Sequence, residues 1–360
     1  MNKLVRKNIL AITPYKAGKP IEETKRELGL KEVIKLASNE NPLGTSPKAI
    51  AAMKKNLAGM NRYPDSQGFY LKKALAKQFG VEPENFVLGN GSDELIDTII
   101  KTFVENDENI VTAGVTFLEY EIIARVNGIK VITVPLSGFR YDLPAIAKRI
   151  TPKTKIVFIA NPNNPTGTYV NKRELDTFIK NLPSSCMVVL DEAYDAFIDV
   201  DDYPKSLKLI RKNNVIVLKT FSKAYGLAGL RIGYAIADSG LTSYMEKARQ
   251  PFNVNALAQV AARASLEDNN FLKKTRNTVL EGKRYLCTQL QKLDISYVPS
   301  VANFILIDTE RNGVEVFKQL LKKGVIVRDM QQYGLTNFIR VTIGTPAENK
   351  KFIEALKKIL

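Results

Sequence analysis

Six short apolar runs rich in β-branched residues, separated by amphipathic stretches, occupy the middle of the chain: Asn109–Ala113, Lys130–Val134, Lys155–Ala160, Cys186–Leu190, Val215–Lys219 and Ile232–Ala237. Runs of this length read as strands, and their alternation with helical spacing predicts an α/β fold whose large domain is a mostly parallel sheet sandwiched by helices. Ligands on open sheets of this kind sit beyond the carboxyl ends of the strands, so the residues that follow each run carry the functional signal. From about Asn255 the texture changes to a long helical segment, then strands at Asn303–Asp308, Gly324–Asp329 and Phe338–Gly344, which read as a smaller C-terminal α/β domain. Thr345-Pro346-Ala347-Glu348 has the capping-box pattern with proline at the first helical position, and Phe352, Ile353, Leu356, Ile359 and Leu360 supply one apolar face for a final helix. The expected division is an N-terminal arm over residues 1–36, a large domain over 37–254 and a small domain over 255–360, since 360 residues exceed the usual size of one core.

Composition narrows the chemistry by exclusion. The chain has no histidine, which removes Ser-His-Asp and Cys-His catalysis, histidine metal sites and imidazole proton transfer together, leaving Lys, Tyr, Asp, Glu or Cys to move protons. Cys186 and Cys287 lack paired spacing, so no disulfide framework or zinc cluster is expected, in keeping with reducing cytosol. No signal-type segment and no bilayer-spanning run is present, so a soluble cytoplasmic protein with no membrane partner is expected. The formal charge is +16, but the lysines fall in ones and twos, as in Lys72-Lys73, Lys273-Lys274 and Lys357-Lys358, which reads as solvated helix faces and not a nucleic-acid surface. Such a field would help to attract phosphorylated or dicarboxylate substrates.

Four segments at the ends of these runs carry candidate chemistry. Thr220-Phe221-Ser222-Lys223 through Arg231 brings two hydroxyls, a lysine and an arginine together after a strand. A buried lysine there can form an imine with an aldehyde, and the hydroxyls and guanidinium suit a phosphate, although a loop lysine is ordinarily a solvated charge. Gly89-Asn90-Gly91-Ser92-Asp93-Glu94 is a glycine turn opening a helix, which is either a phosphate cradle or a turn capped by Ser92. It lacks the third glycine of a dinucleotide fingerprint. Asn161-Pro162-Asn163-Asn164-Pro165-Thr166-Gly167 and Asp191-Glu192-Ala193-Tyr194 each follow a strand. An Asp buried there needs a cationic partner, which a protonated pyridine nitrogen would supply, and an Asn and a Tyr could hydrogen-bond a ring oxygen; an Asn-Pro turn and a helix-capping Asp are the plain alternatives.

With Asn39-Glu40-Asn41-Pro42 and Arg62-Tyr63-Pro64-Asp65 upstream, these segments together resemble the fold-type-I pyridoxal-phosphate-dependent aminotransferases, and among them the histidinol-phosphate aminotransferase family, from about Thr13 to the C-terminus. The resemblance implies that Lys223 holds pyridoxal 5'-phosphate covalently and serves as the base, that Asp191 pairs with the ring nitrogen, and that Asn164 and Tyr194 contact the ring oxygen. It implies a phosphate site of Gly91, Ser92, Asp93, Thr220, Ser222 and Arg231, with Phe117 stacked on the ring; Val115 stands where the family's loop has proline. It further implies a homodimer in which the partner's copy of Tyr63 reaches the phosphate.

For substrate the resemblance implies histidinol phosphate and the glutamate/2-oxoglutarate pair, a step of histidine biosynthesis. Arg340 alternates with Ile339, Val341 and Ile343 and so points away from their apolar face. With Arg328 it resembles the pair that grips the substrate phosphate or carboxylate, and Tyr15 and Asn41 resemble further substrate contacts. An aromatic amino-acid aminotransferase or a phosphothreonine decarboxylase of the same fold would share the cofactor residues. A regulator with an aminotransferase-like domain would need an added DNA-binding module, for which the arm is too short.

Overall fold

The computed structural model describes residues 4–16, 18–210 and 214–360, so the first three residues and Ala17 of the expected arm lie outside the described residues. Its strands, in chain order, are β1 (Ile34–Lys35), β2 (Phe86–Gly89), β3 (Asn109–Ala113), β4 (Lys130–Val134), β5 (Thr154–Ala160), β6 (Met187–Asp191), β7 (Val215–Thr220), β8 (Gly233–Ile236), β9 (Tyr297–Val298), β10 (Phe304–Asp308), β11 (Val325–Ile326), β12 (Arg328–Asp329) and β13 (Phe338–Thr342). The large sheet has seven strands in the order β2-β8-β7-β6-β5-β3-β4. All neighbouring pairs are parallel except those of β8, which runs against both β2 and β7. The central strands read as unbroken apolar runs because both of their faces are covered: Ile156–Ile159, Val188–Leu190 and Val215–Leu218 are all buried.

Those residues centre a first core that takes in Leu95, Ile96, Ile99 and Ile100 from the helix Ser92–Phe103. The helix Ala256–Leu266, which opens the expected small domain, packs on Pro47–Asn56 and places Ala258, Ala261 and Ala262 in this first core. A second core lies between the antiparallel sheet β12-β13-β10-β9 and the helices Asn269–Lys292 and Pro346–Leu356. It reaches back to Leu36, Tyr194, Phe197 and Ala224, so residues that follow β6 and β7 are packed by the second body as well as the first. The final helix starts at the predicted box, with Thr345 accepting from the Glu348 amide and Glu348 answering at Thr345.

Several local expectations change. Ser92 is not the cap: Gly91 holds that position at φ 84°, and Ser92 is already helical. Lys72 is not solvated but buried in an ion pair with Glu246 at 2.7 Å. The run Gly324–Asp329 is two strands, because Val325–Ile326 pairs in parallel with β1 whereas Arg328–Asp329 pairs antiparallel with β13. Among the described residues no helix is long and apolar enough to cross a membrane, and no cluster of metal-binding side chains occurs.

Candidate active site

Sheet register assembles the site. Ala160 at the end of β5 lies level with Asp191 at the end of β6, and Asp191 with Leu218 of β7, so the Asn161 turn, the acid and the Lys223 loop emerge side by side. Beyond these ends lies a cavity of about 240 Å³ lined by Asn164, Asp191, Tyr194, Thr220, Ser222, Lys223 and Arg231, together with Ser92, Asp93 and Phe117.

Two lysines sit near it, and their surroundings separate them. Lys219 is buried between Glu192 at 2.8 Å and Asp195; burial alone would lower its pKa, but Asp195 and Glu192 overcome this and hold the ammonium firmly charged. Lys223 has no carboxylate partner among the described residues. Its Nζ donates to the Ser38 carbonyl at 3.2 Å and lies 5.7 Å from the Tyr194 ring centroid. Burial first, and then the Arg340 guanidinium, pull its amine down to about 8. Lys219 is a fixed ammonium, whereas Lys223 has the lowered basicity that a nucleophilic amine requires.

Asp191 is buried, and burial pushes its carboxyl up to about 6 against two donors that pull it down. The Tyr120 hydroxyl donates to Oδ2 at 2.7 Å and the Ala193 amide to Oδ1 at 3.1 Å. No cation pairs with it among the described residues, so its charge is available to a ligand in the cavity. Tyr194 accepts at Oη from Asn39 Nδ2 at 3.0 Å, and Asn164 accepts at Oδ1 from Arg340.

At the other end of the cavity the helix Ser92–Phe103 begins without a side-chain cap, so its first amides and its dipole face the space open. Gly91 is favoured there by its φ of 84°, and a Cβ would stand 2.5 Å from Nη2 of Arg231, so the guanidinium would have to shift. Arg231, itself left-handed at φ 54°, is held by Asp93 at 2.9 Å. The Thr220 hydroxyl accepts from the Ser222 amide at 3.1 Å, folding both hydroxyls of that loop against the cavity. The Asp93 carboxylate orients the guanidinium, while its backbone amide belongs to the uncapped first turn. Val115, in the place of proline, leaves the loop intact: its carbonyl accepts from Asn163, and Thr116 bonds Asn163 and Tyr141.

Arg328 and Arg340 are directly opposite on β12 and β13 and both are buried. Arg340 donates to the Ala37 carbonyl at 2.7 Å and to Asn164, and its Nε has no partner. Arg328 donates to Gln332 at 3.2 Å and lies 5.2 Å from the Tyr15 ring centroid. Neither forms an ion pair with a carboxylate among the described residues. Two like charges facing each other in a buried place are costly, and an anion between them would relieve both.

Arg340 borders the cavity through Asn164, but Tyr15, Gly91, Arg328 and Arg340 are not among the residues that line it, and the remaining predicted residues do not line it either. Asn41 does not line the cavity, because its amide donates to Ala224 and Thr275 and its oxygen caps the Leu43 amide. Tyr63 is 82% exposed, stacked on Phe252 at 4.7 Å, on the surface of its own chain. Tyr120 is passed over by sequence reasoning, which marks the strap 36–40 only through Asn39 and Glu40, without a role for its backbone. In that strap Ala37, Ser38 and Asn39 offer carbonyls to Arg340, Lys223 and Asn303. Tyr120 had a signal, since it lies one helical turn past Phe117; apart from the Asn39 side chain that holds Tyr194, the strap acts through backbone carbonyls, which leave no trace in side-chain identity.

The sheet order, the second body and a lysine and acid at adjoining strand ends define a fold-type-I transferase. The chain belongs to the aminotransferase class I and II family, whose model matches residues 31–356. The histidinol-phosphate aminotransferase of Moorella thermoacetica is 51% identical over 99% of this chain and 92% of its own length. Histidinol-phosphate aminotransferase 2 of Carboxydothermus hydrogenoformans is 45% identical over 99% of each. Among solved structures, histidinol-phosphate aminotransferase from Sinorhizobium meliloti in complex with pyridoxal-5'-phosphate superposes with a TM-score of 0.90 at 27% identity, over 99% of this chain and 98% of that one.

Proposed function

We propose that this chain transfers an amino group from histidinol phosphate to 2-oxoglutarate with pyridoxal phosphate as cofactor, a step of histidine biosynthesis. Its residues fit that cofactor. An unpaired buried carboxylate, a lysine of lowered basicity and an uncapped helix start with an adjacent arginine are spaced along one cavity, matching a ring cation, an aldehyde and a phosphate. Gly91, Ser92, Thr220, Ser222 and Arg231 would hold the phosphate, Asp191 the ring nitrogen, and Tyr194 with the Asn164 amide the ring oxygen, with Phe117 on the ring face. Pyridoxal phosphate, when bound, supplies a carbon for covalent attachment and a protonated ring that draws electrons from the substrate Cα. Lys223, partly neutral through burial, takes the Cα proton at Nζ and can return it to the neighbouring carbon. This is how a chain without histidine runs acid-base chemistry near neutral pH.

The opposed, anion-less Arg328 and Arg340 carry the substrate reading. Both half-reactions bring an anion, the phosphate of histidinol phosphate or a carboxylate of glutamate, and forked guanidinium donors suit either. Names of close full-length relatives support the same choice.

A homodimer belongs to this reading. Tyr63 stacks on Phe252, and Leu57, Met60, Phe69 and Tyr70, near Tyr63 in sequence, are exposed as well; a second copy would cover such apolar surface while carrying Tyr63 to the neighbouring phosphate.

The discriminating experiment loads the protein with pyridoxal phosphate, adds histidinol phosphate, phenylalanine or glutamate, and follows the cofactor's visible absorption, with Lys223→Ala alongside. Conversion by histidinol phosphate at least ~100-fold faster than by phenylalanine is expected, since an unfilled guanidinium pair forfeits charged hydrogen bonds. An equal response to phenylalanine would turn the assignment to an aromatic aminotransferase.

A further inference from the structure

We infer that Tyr120 is a positioning residue for Asp191: its hydroxyl keeps that carboxylate ionised and turned toward the cavity. This rests on Asp191 meeting the ring nitrogen, as proposed above, and follows from what surrounds the acid.

Five phenols, amines and acids act on Asp191 besides Tyr120, and each is committed elsewhere or repels; among them the Tyr203 hydroxyl donates to the Asn161 carbonyl. The Tyr141 hydroxyl is engaged with Thr116 at 2.7 Å and with the Ala160 amide at 3.1 Å. Tyr194 is held by Asn39, and Lys223 donates to the Ser38 carbonyl. Asp93 acts on Asp191 through its like charge and favours protonation. Tyr120 is thus the side chain that donates to Asp191 among the described residues, and the Ala193 amide is the other donor.

The tyrosine is itself held on three sides. It is fully buried, its ring stacks on Phe158 at 4.9 Å and 18°, and its edge meets Phe117 at 5.6 Å and 85°. One residue therefore joins Phe117, the proposed ring-face contact, to Asp191, the proposed ring-nitrogen contact. Burial, followed by the charge of Asp191, raises the Tyr120 phenol well above its ordinary value, so it stays a donor throughout the working pH range. A hydrogen bond to a charged acceptor in a buried place is among the stronger ones, and losing it leaves Oδ2 to take up a proton instead. A protonated Asp191 cannot hold a positive ring nitrogen.

The test labels aspartate carboxyl carbons with 13C in the full-length cofactor-free protein and identifies the Asp191 signal by its loss in Asp191→Asn. In Tyr120→Phe the titration midpoint should rise by about one pH unit or more, and the affinity for pyridoxal phosphate at about pH 5, below both midpoints, should fall by about tenfold. Placing 3-fluorotyrosine, a more acidic phenol of nearly the same shape, at position 120 alone should move the midpoint the other way. An unmoved midpoint in a folded Tyr120→Phe protein overturns the inference. Should Tyr120→Phe not fold, the fluorotyrosine protein decides, and its unmoved midpoint overturns the inference equally. The midpoint reports Asp191 whatever the amino donor is, so failure here is distinct from failure of the substrate assignment.

Discussion

A residue's role in this protein is set by what it lacks as much as by what it touches. Lys219 and Lys223 are four positions apart, yet the first has two carboxylates and the second a single carbonyl. Only a neutral amine attacks a carbonyl carbon, and with the Lys223 amine lowered to about 8 the neutral fraction grows as pH rises to that value and then saturates. Attachment of pyridoxal phosphate to the cofactor-free protein should therefore speed up roughly tenfold per pH unit below about 8 and level off above it, followed by absorbance with Lys223→Ala as the blank. Removing the nearby cation in Arg340→Gln should shift that plateau to higher pH. A rate still climbing past pH 9 would mean that Lys223 behaves as an ordinary exposed lysine.

At the scale of elements, the start of the helix Ser92–Phe103 shows most directly how sequence becomes a binding device. Its amides stay uncapped because glycine precedes it, and Gly91 also leaves the space that Arg231 fills. Gly91→Ala should keep the fold, as the turn is at the edge of the cavity, but weaken pyridoxal phosphate by about tenfold or more through left-handed strain of ~1–2 kcal/mol and displacement of the guanidinium. Equilibrium dialysis checks it, and wild-type affinity in the variant would remove the helix start from the site. The parallel strands were legible because strands covered on both faces must be apolar throughout, and their ends then pointed to Lys223 and Asp191. Less legible were the features that depend on a neighbour. The antiparallel edge at β2 and β8 has the same apolar texture as the parallel strands, and Val327 divides one apolar run between two sheets. Tyr120 looked like one more helix residue until the sheet brought Asp191 to it.

For the molecule as a whole, the exposed Tyr63 makes a sharp demand on assembly. Its ring does not line the site cavity of its own chain, so a dimer that shares sites should be rescued by mixing two defects. Tyr63→Ala and Lys223→Ala subunits, each impaired alone, should regain roughly a quarter of wild-type activity when mixed as dissociated chains, because half of the random dimers carry one intact site. No recovery, despite mixed dimers seen by native mass spectrometry, would mean that each chain completes its own site. The strap 36–40 sets a different constraint, one of timing. Ala37 accepts its bond from Arg340, 303 residues later in the chain. At roughly 5–20 residues per second, the ribosome delivers that arginine some 15–60 s after the strap has left it. The residues that line the cavity, Ser38 through Arg231, are all made before then, but the guanidinium that joins the strap to Asn164 is missing until the last strand is released, so a chain stalled before β13 would carry its buried lysine with that joint unmade.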